Sequence, residues 1–77
     1  MRLAYDPKAD ALSIRLRSGK VHHTEDMEDG LVVEIDEQGR VMGFVFENAR
    51  RRLTVEELTT VTYENVALGR RASITLP

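Results

Sequence analysis

Leu31-Val32-Val33-Glu34-Ile35-Asp36-Glu37-Gln38-Gly39-Arg40-Val41-Met42-Gly43-Phe44-Val45-Phe46 alternates apolar side chains twice, with a polar break in the middle. Leu31, Val33 and Ile35 recur with period two, and so do Met42, Phe44 and Phe46, the pattern of two half-buried strands. Gly39 supplies the positive φ that a short loop between them needs. An antiparallel register pairing Ile35 with Met42, Val33 with Phe44 and Leu31 with Phe46 puts all six on one face. Val32 and Val45 then meet on the opposite face beside Glu34 and Gly43, so that second face is partly apolar and calls for a cover.

The same logic extends towards the N-terminus. Met1, Leu3 and Tyr5 alternate, as do Leu12, Ile14 and Leu16, on either side of Asp6-Pro7-Lys8-Ala9-Asp10. Pro7 presets φ for a turn, and Asp6 can accept from the amides just beyond it. Pairing Tyr5 with Leu12, Leu3 with Ile14 and Met1 with Leu16 aligns a second hairpin. Between the two hairpins Ser18-Gly19 reads as a turn and Val21–Asp26 as a weaker edge strand.

Towards the C-terminus, Leu53-Thr54-Val55-Glu56-Glu57-Leu58 is a helix start. Thr54 is the N-cap, Glu57 completes a capping box, and Leu53 and Leu58 occupy the positions of a hydrophobic staple. The β-branched run Thr59-Thr60-Val61-Thr62 predicts that this helix is short. Val61–Val66 and Ala72–Leu76 read as strands around a turn at 67–71. The expected fold is α+β and mostly antiparallel: a β-sheet meander of about five strands, one short helix and a C-terminal hairpin.

Composition bounds the rest. At 77 residues, 42% hydrophobic and 31% charged, the chain reads as a single domain over 1–77 rather than a disordered tail. Its longest apolar runs are three residues, too short to span a membrane, and no secretory leader is legible at its start. The absence of cysteine removes disulfides, thiolate metal sites and cysteine nucleophiles, and fits the reducing cytoplasm. A core of this size rarely supplies more than ~3–5 kcal/mol, so association with another chain, a homodimer first, is expected.

The net charge of −2 conceals an uneven layout. Residues 24–40 hold Glu25, Asp26, Glu28, Asp29, Glu34, Asp36 and Glu37 against Arg40 alone, between more basic flanks. Such a layout fits a solvated surface or a partner surface.

Few residues suggest chemistry. His22 and His23 are adjacent, so on a strand they would point to opposite faces and could not chelate one metal together. Asp6 and Asp10, flanking Pro7, read as backbone caps rather than an acid–base pair. Glu25–Asp29 lacks the spacing of a calcium loop, and no serine or glycine pattern marks a nucleophile or phosphate loop. The chain is therefore read as non-catalytic and without cofactor. Its sharpest local feature is Arg50-Arg51-Arg52, with Arg70-Arg71 as companion. Guanidinium groups suit phosphate, which makes a nucleic-acid-binding homodimer the alternative to a protein-interaction module. Against it stand the acidic balance, with pI about 5.6, and only four aromatic residues for stacking.

Tyr5-Asp6-Pro7, Asp10-Ala11-Leu12, Ile14-Arg15-Leu16, Asp29-Gly30-Leu31-Val32-Val33 and Gly39-Arg40-Val41-Met42-Gly43 together resemble a small bacterial family, domain of unknown function 2283, over residues 1 to about 52. Ser13 departs from the pattern, in which the residue after Asp-Ala-Leu is often aromatic; if that aromatic seals one sheet face, this chain has to seal it otherwise. The resemblance implies a small β-rich protein without assigned catalysis. It also brings in the role considered for such members, antitoxin partner of a small toxin, and the acidic middle segment would suit a basic one.

Overall fold

The central hairpin of the sequence is also the centre of the structure. The computed structural model describes residues 1–75. Its elements are β1 (Arg2–Asp6), β2 (Ala11–Arg15), β3 (His23–Glu28), β4 (Leu31–Ile35), β5 (Val41–Phe46), α1 (Ala49–Arg52), α2 (Val55–Thr59), β6 (Thr60–Asn65) and β7 (Arg70–Thr75). The first five strands form one antiparallel sheet in the order β1-β2-β5-β4-β3, and β6 and β7 form a separate two-stranded sheet. The α+β, mostly antiparallel expectation holds.

The registers follow the side chains. Leu31 faces Phe46, Val32 faces Val45 and Val33 faces Phe44, while Leu3 faces Ile14 and Tyr5 faces Leu12. At the turn the register slips, so that Ile35 pairs with Val41 instead of Met42. Met42 is thus the extra residue of a bulge, and it turns inward to only 1% exposure. The reason lies in the loop. Asp36 N–H donates to the Arg40 carbonyl at 3.0 Å, and Gly39, at φ 80°, returns its N–H to the Asp36 carbonyl at 3.0 Å. This closure leaves β5 one residue longer than β4. The expected pairing of Met1 with Leu16 also lies outside the ladder, because β2 ends at Arg15 and the Leu16 amide donates to the Met42 carbonyl at 2.7 Å.

Only β3, β4 and β5 follow one another as a meander; β2 pairs with β5, with Leu12 opposite Phe46 and Ile14 opposite Phe44. The hydrophobic effect selects this order. β2 brings an apolar side to a central position, whereas β3 (His-Thr-Glu-Asp-Met-Glu) is exposed throughout and belongs at an edge. The Ser18–His22 connection runs past Asp36, Gln38, Arg40 and Met42.

The capping box forms as read. Glu57 N–H donates to Thr54 Oγ1 at 3.1 Å, and Thr54 N–H donates to the Glu57 carboxylate at 2.8 Å. Leu58 is buried, and α2 gives way to β6 at Thr60. Residues 49–52, where the sequence showed only an arginine cluster and no helix signal, form a second short helix, α1. The last two strands lie one or two residues earlier than the sequence suggested; Leu76 lies outside the described residues.

The core is thin. Val33, Met42, Ala49 and Leu58 are the buried apolar residues among those described, while Phe44 and Phe46 are only half-buried. The molecule is a slab of 35 × 31 × 19 Å.

Candidate functional site

The arginine triplet sits on α1, a helix without a cap of its own. Asn48 precedes it at φ 53° in the left-handed region, and its side chain caps nothing. Orphan amides at a helix start need acceptors, and Asp10, forty positions upstream in the β1–β2 turn, provides them. The Asp10 carbonyl accepts from Ala49 N–H at 2.9 Å, and its carboxylate accepts from Arg50 N–H at 3.1 Å. The same carboxylate accepts from the Tyr5 hydroxyl at 2.8 Å and pairs with Arg50 Nε at 3.3 Å. At the other end, Arg52 pairs with Glu28 at 3.2 Å and donates to the Asp29 carbonyl. α1 therefore clasps the β1–β2 turn through Arg50 and the end of β3 through Arg52.

The expected arginine group divides accordingly. Arg50 and Arg52 are engaged within the chain. Arg51 has no ion pair among the described residues and borders a shallow hollow with Asp29, Glu47 and Asn48. Arg70 and Arg71 are exposed on β7, opposite Asn65 and Glu64, and as neighbours on a strand they point to opposite faces.

The acidic segment divides too. Asp36 is buried in the β4–β5 turn, where its carboxylate accepts from the Arg40 and Gln38 amides at 2.9 Å and pairs with Arg40 Nε at 2.9 Å. Glu34 pairs with Arg15 at 3.2 Å on the face shared with Val32 and Val45, both of which are half-buried. Glu25, Asp26 and Glu28 remain exposed along β3, the outer strand. His22 precedes β3 rather than lying on it, so the two rings do not diverge. They meet edge to face with Nδ1 to Nδ1 at 3.0 Å, and His23 Nε2 lies 3.4 Å from Glu25. Among the described residues no three His, Asp or Glu side chains gather as a metal site.

Asp6 caps its own turn as read, accepting from Lys8 N–H at 2.9 Å. Asp10 was legible as a cap but not as a tertiary one, because α1 carries no cap or apolar stripe to announce it.

Hydrogen bonding sets the acidity of this framework. The Arg40 amide, then its guanidinium and the Gln38 amide, hold the Asp36 carboxyl below its ordinary range against the opposing effect of burial. Burial likewise pushes Asp10 up, but bonds from Tyr5 and the Arg50 amide and the nearby Arg50 charge leave it lowered. Tyr5 is raised, chiefly by its hydrogen bond to Asp10. A carboxylate lowered on folding stabilises the protein fully above its unfolded pKa, and that contribution is lost as pH falls through the folded value. The stability advantage of the wild type over Asp36→Asn is thus expected to be constant from about pH 7 to about pH 5 and to shrink below about pH 4. Urea unfolding of both proteins across that range measures it.

No helix among the described residues is long and apolar enough to cross a membrane. Comparisons with curated proteins and with solved structures return no significant match. A family model, described as protein of unknown function (DUF2283), matches residues 2–50. That match covers the five-stranded sheet and the start of α1 with its Asp10 cap, so the chain belongs to this family of unknown function.

Proposed function

We propose that the chain is a non-catalytic protein-interaction module that holds a basic polypeptide along the outer edge of β3, as an antitoxin would hold a small basic toxin. One observation carries this reading: β3 is an edge strand exposed along its whole length, with carboxylates on both of its faces. Glu25 lies on the face of Val33 and Asp26 on the face of Val32, so a basic strand added there would find charge partners on either side. Unpaired edge amides and carbonyls add main-chain hydrogen bonds to that recognition. The acidic edge also steers a cationic partner towards itself. The cysteine-free chain suits a reducing cytoplasm.

The test is a pulldown of the tagged full chain from its native cell, split into nuclease-treated and untreated halves and read by mass spectrometry. A stoichiometric basic protein that survives nuclease, and is lost with Glu25→Lys/Asp26→Lys, is the expected result. Recovery that vanishes with nuclease would overturn it in favour of nucleic acid at Arg51, Arg70 and Arg71. Recovery of the chain's own copies alone would also overturn it.

A further inference from the structure

The β6–β7 hairpin is amphipathic and stands apart from the main sheet. Its register puts Val61 opposite Ile74 and Tyr63 opposite Ala72 on one face. Thr62 bonded to Ser73 at 2.8 Å, and Glu64 opposite Arg71, make the other face polar. Yet most of the apolar face is uncovered: Tyr63 is 67% exposed and Ile74 59%, while Val61 is half-buried. A lone two-stranded hairpin is marginal in water unless a further layer packs on it, and among the described residues none covers Tyr63 or Ile74.

The whole molecule shows the same deficit. Its accessible surface is 6181 Å², whereas a folded monomer of this mass exposes about 4,700 Å². The radius of gyration is 13.9 Å against about 11.5 Å for a compact chain of this length. The excess is about 1,500 Å² per chain, so burying it in a pair of chains would remove about 3,000 Å². That total lies in the range of obligate homodimers and well above a transient contact.

We propose that a second copy of this chain covers the apolar face of β6–β7, in a two-fold dimer where Val61, Tyr63, Ala72 and Ile74 of each protomer are buried against the other. A second copy is the occupant that the numbers favour. It supplies the same uncovered apolar face by symmetry, and it removes the surplus surface from both chains at once. The inference is independent of the β3 reading, since it concerns a different sheet and the protein alone in solution.

Sedimentation velocity of the purified full chain at micromolar concentration tests it, together with two variants. The wild type is expected at twice the chain mass. Tyr63→Asp/Ile74→Asp is expected at the single-chain mass, while Thr62→Glu on the polar face remains dimeric. A monomeric wild type, or a dimer that persists in Tyr63→Asp/Ile74→Asp, overturns the proposal. Should the double variant lose its fold by circular dichroism, Ala72→Cys decides: oxidation is expected to yield a covalent dimer, and its absence at dimer-forming concentrations overturns the proposal. Failure of the β3 variants to capture a partner leaves these masses unchanged, so the two readings fail separately.

Discussion

Replacing Gly43 with alanine is expected to leave the protein largely unfolded at room temperature. Gly43 lies on β5 between β2 and β4, opposite Arg15 on one side and Glu34 on the other. A β-carbon there would stand 2.4 Å from the Ile14 carbonyl oxygen and 3.1 Å from the Arg15 Cα. Both obstacles are backbone of the neighbouring strand, so no rotamer change can relieve them. β2 would have to move off β5, breaking the ladder that buries Leu12 and Ile14 against Phe46 and Phe44. Overpacking a core costs about 1–3 kcal/mol and sometimes more, and a central ladder belongs at the upper end. At about 3 kcal/mol or more, that cancels most or all of the ~3–5 kcal/mol a core of this size rarely exceeds. Gly39→Ala is the control: its added β-carbon meets nothing within 4 Å, although its φ of 80° is strained for alanine and costs about 1–2 kcal/mol. Thermal melts by circular dichroism should show Gly39→Ala shifted modestly and Gly43→Ala without a cooperative transition. A Gly43→Ala melt close to that of Gly39→Ala would refute the steric account.

The same position shows what a sequence does and does not expose. Alternation told which residues share a face, and the pairings of Leu3 with Ile14, Tyr5 with Leu12 and Val33 with Phe44 follow from that alone. A period-two pattern names a face but no neighbour. Placing β2 against β5 depended on contacts thirty positions apart, and only then does Gly43 become a crossing point. Local hydrogen-bond chemistry was equally readable: the Thr54–Glu57 box is complete within four residues. α1 was hidden for the converse reason. Asn-Ala-Arg-Arg-Arg has no cap and no apolar stripe, and what closes its first turn arrives from Asp10. The arginine triplet therefore looked like one cationic patch, whereas two of its three members are spent holding the turns of the sheet together. Charge in a sequence is visible; whether an opposite charge waits across the fold is not.

The second large effect is expected at Asp10, and a substitution series separates its causes. Asp10 sits at φ 53°, a conformation that asparagine and glycine tolerate and alanine resists. Its carboxylate meanwhile accepts from Tyr5 and Arg50, which no alanine or glycine can replace. Asp10→Ala loses the conformation, the acceptor and the charge pair with Arg50, Asp10→Gly loses the acceptor and the charge pair, and Asp10→Asn keeps an acceptor oxygen but gives up the charge pair. The thermal midpoint should fall in the order Ala, then Gly, then Asn, by roughly 10 °C for alanine when a lost cap and a strained residue are combined. Equal losses for asparagine and alanine would assign the effect to the charge alone, and a harmless glycine would remove the tertiary cap from the account. Trypsin reads the same equilibrium locally, because Arg50, Arg51 and Arg52 are cleavable only when α1 opens. Under native conditions Asp10→Ala should be cut in the triplet faster than Asp10→Asn. If α1 is a clasp, cleavage there must accelerate before the main sheet melts, since opening α1 releases the β1–β2 turn and the end of β3 without breaking a single strand ladder.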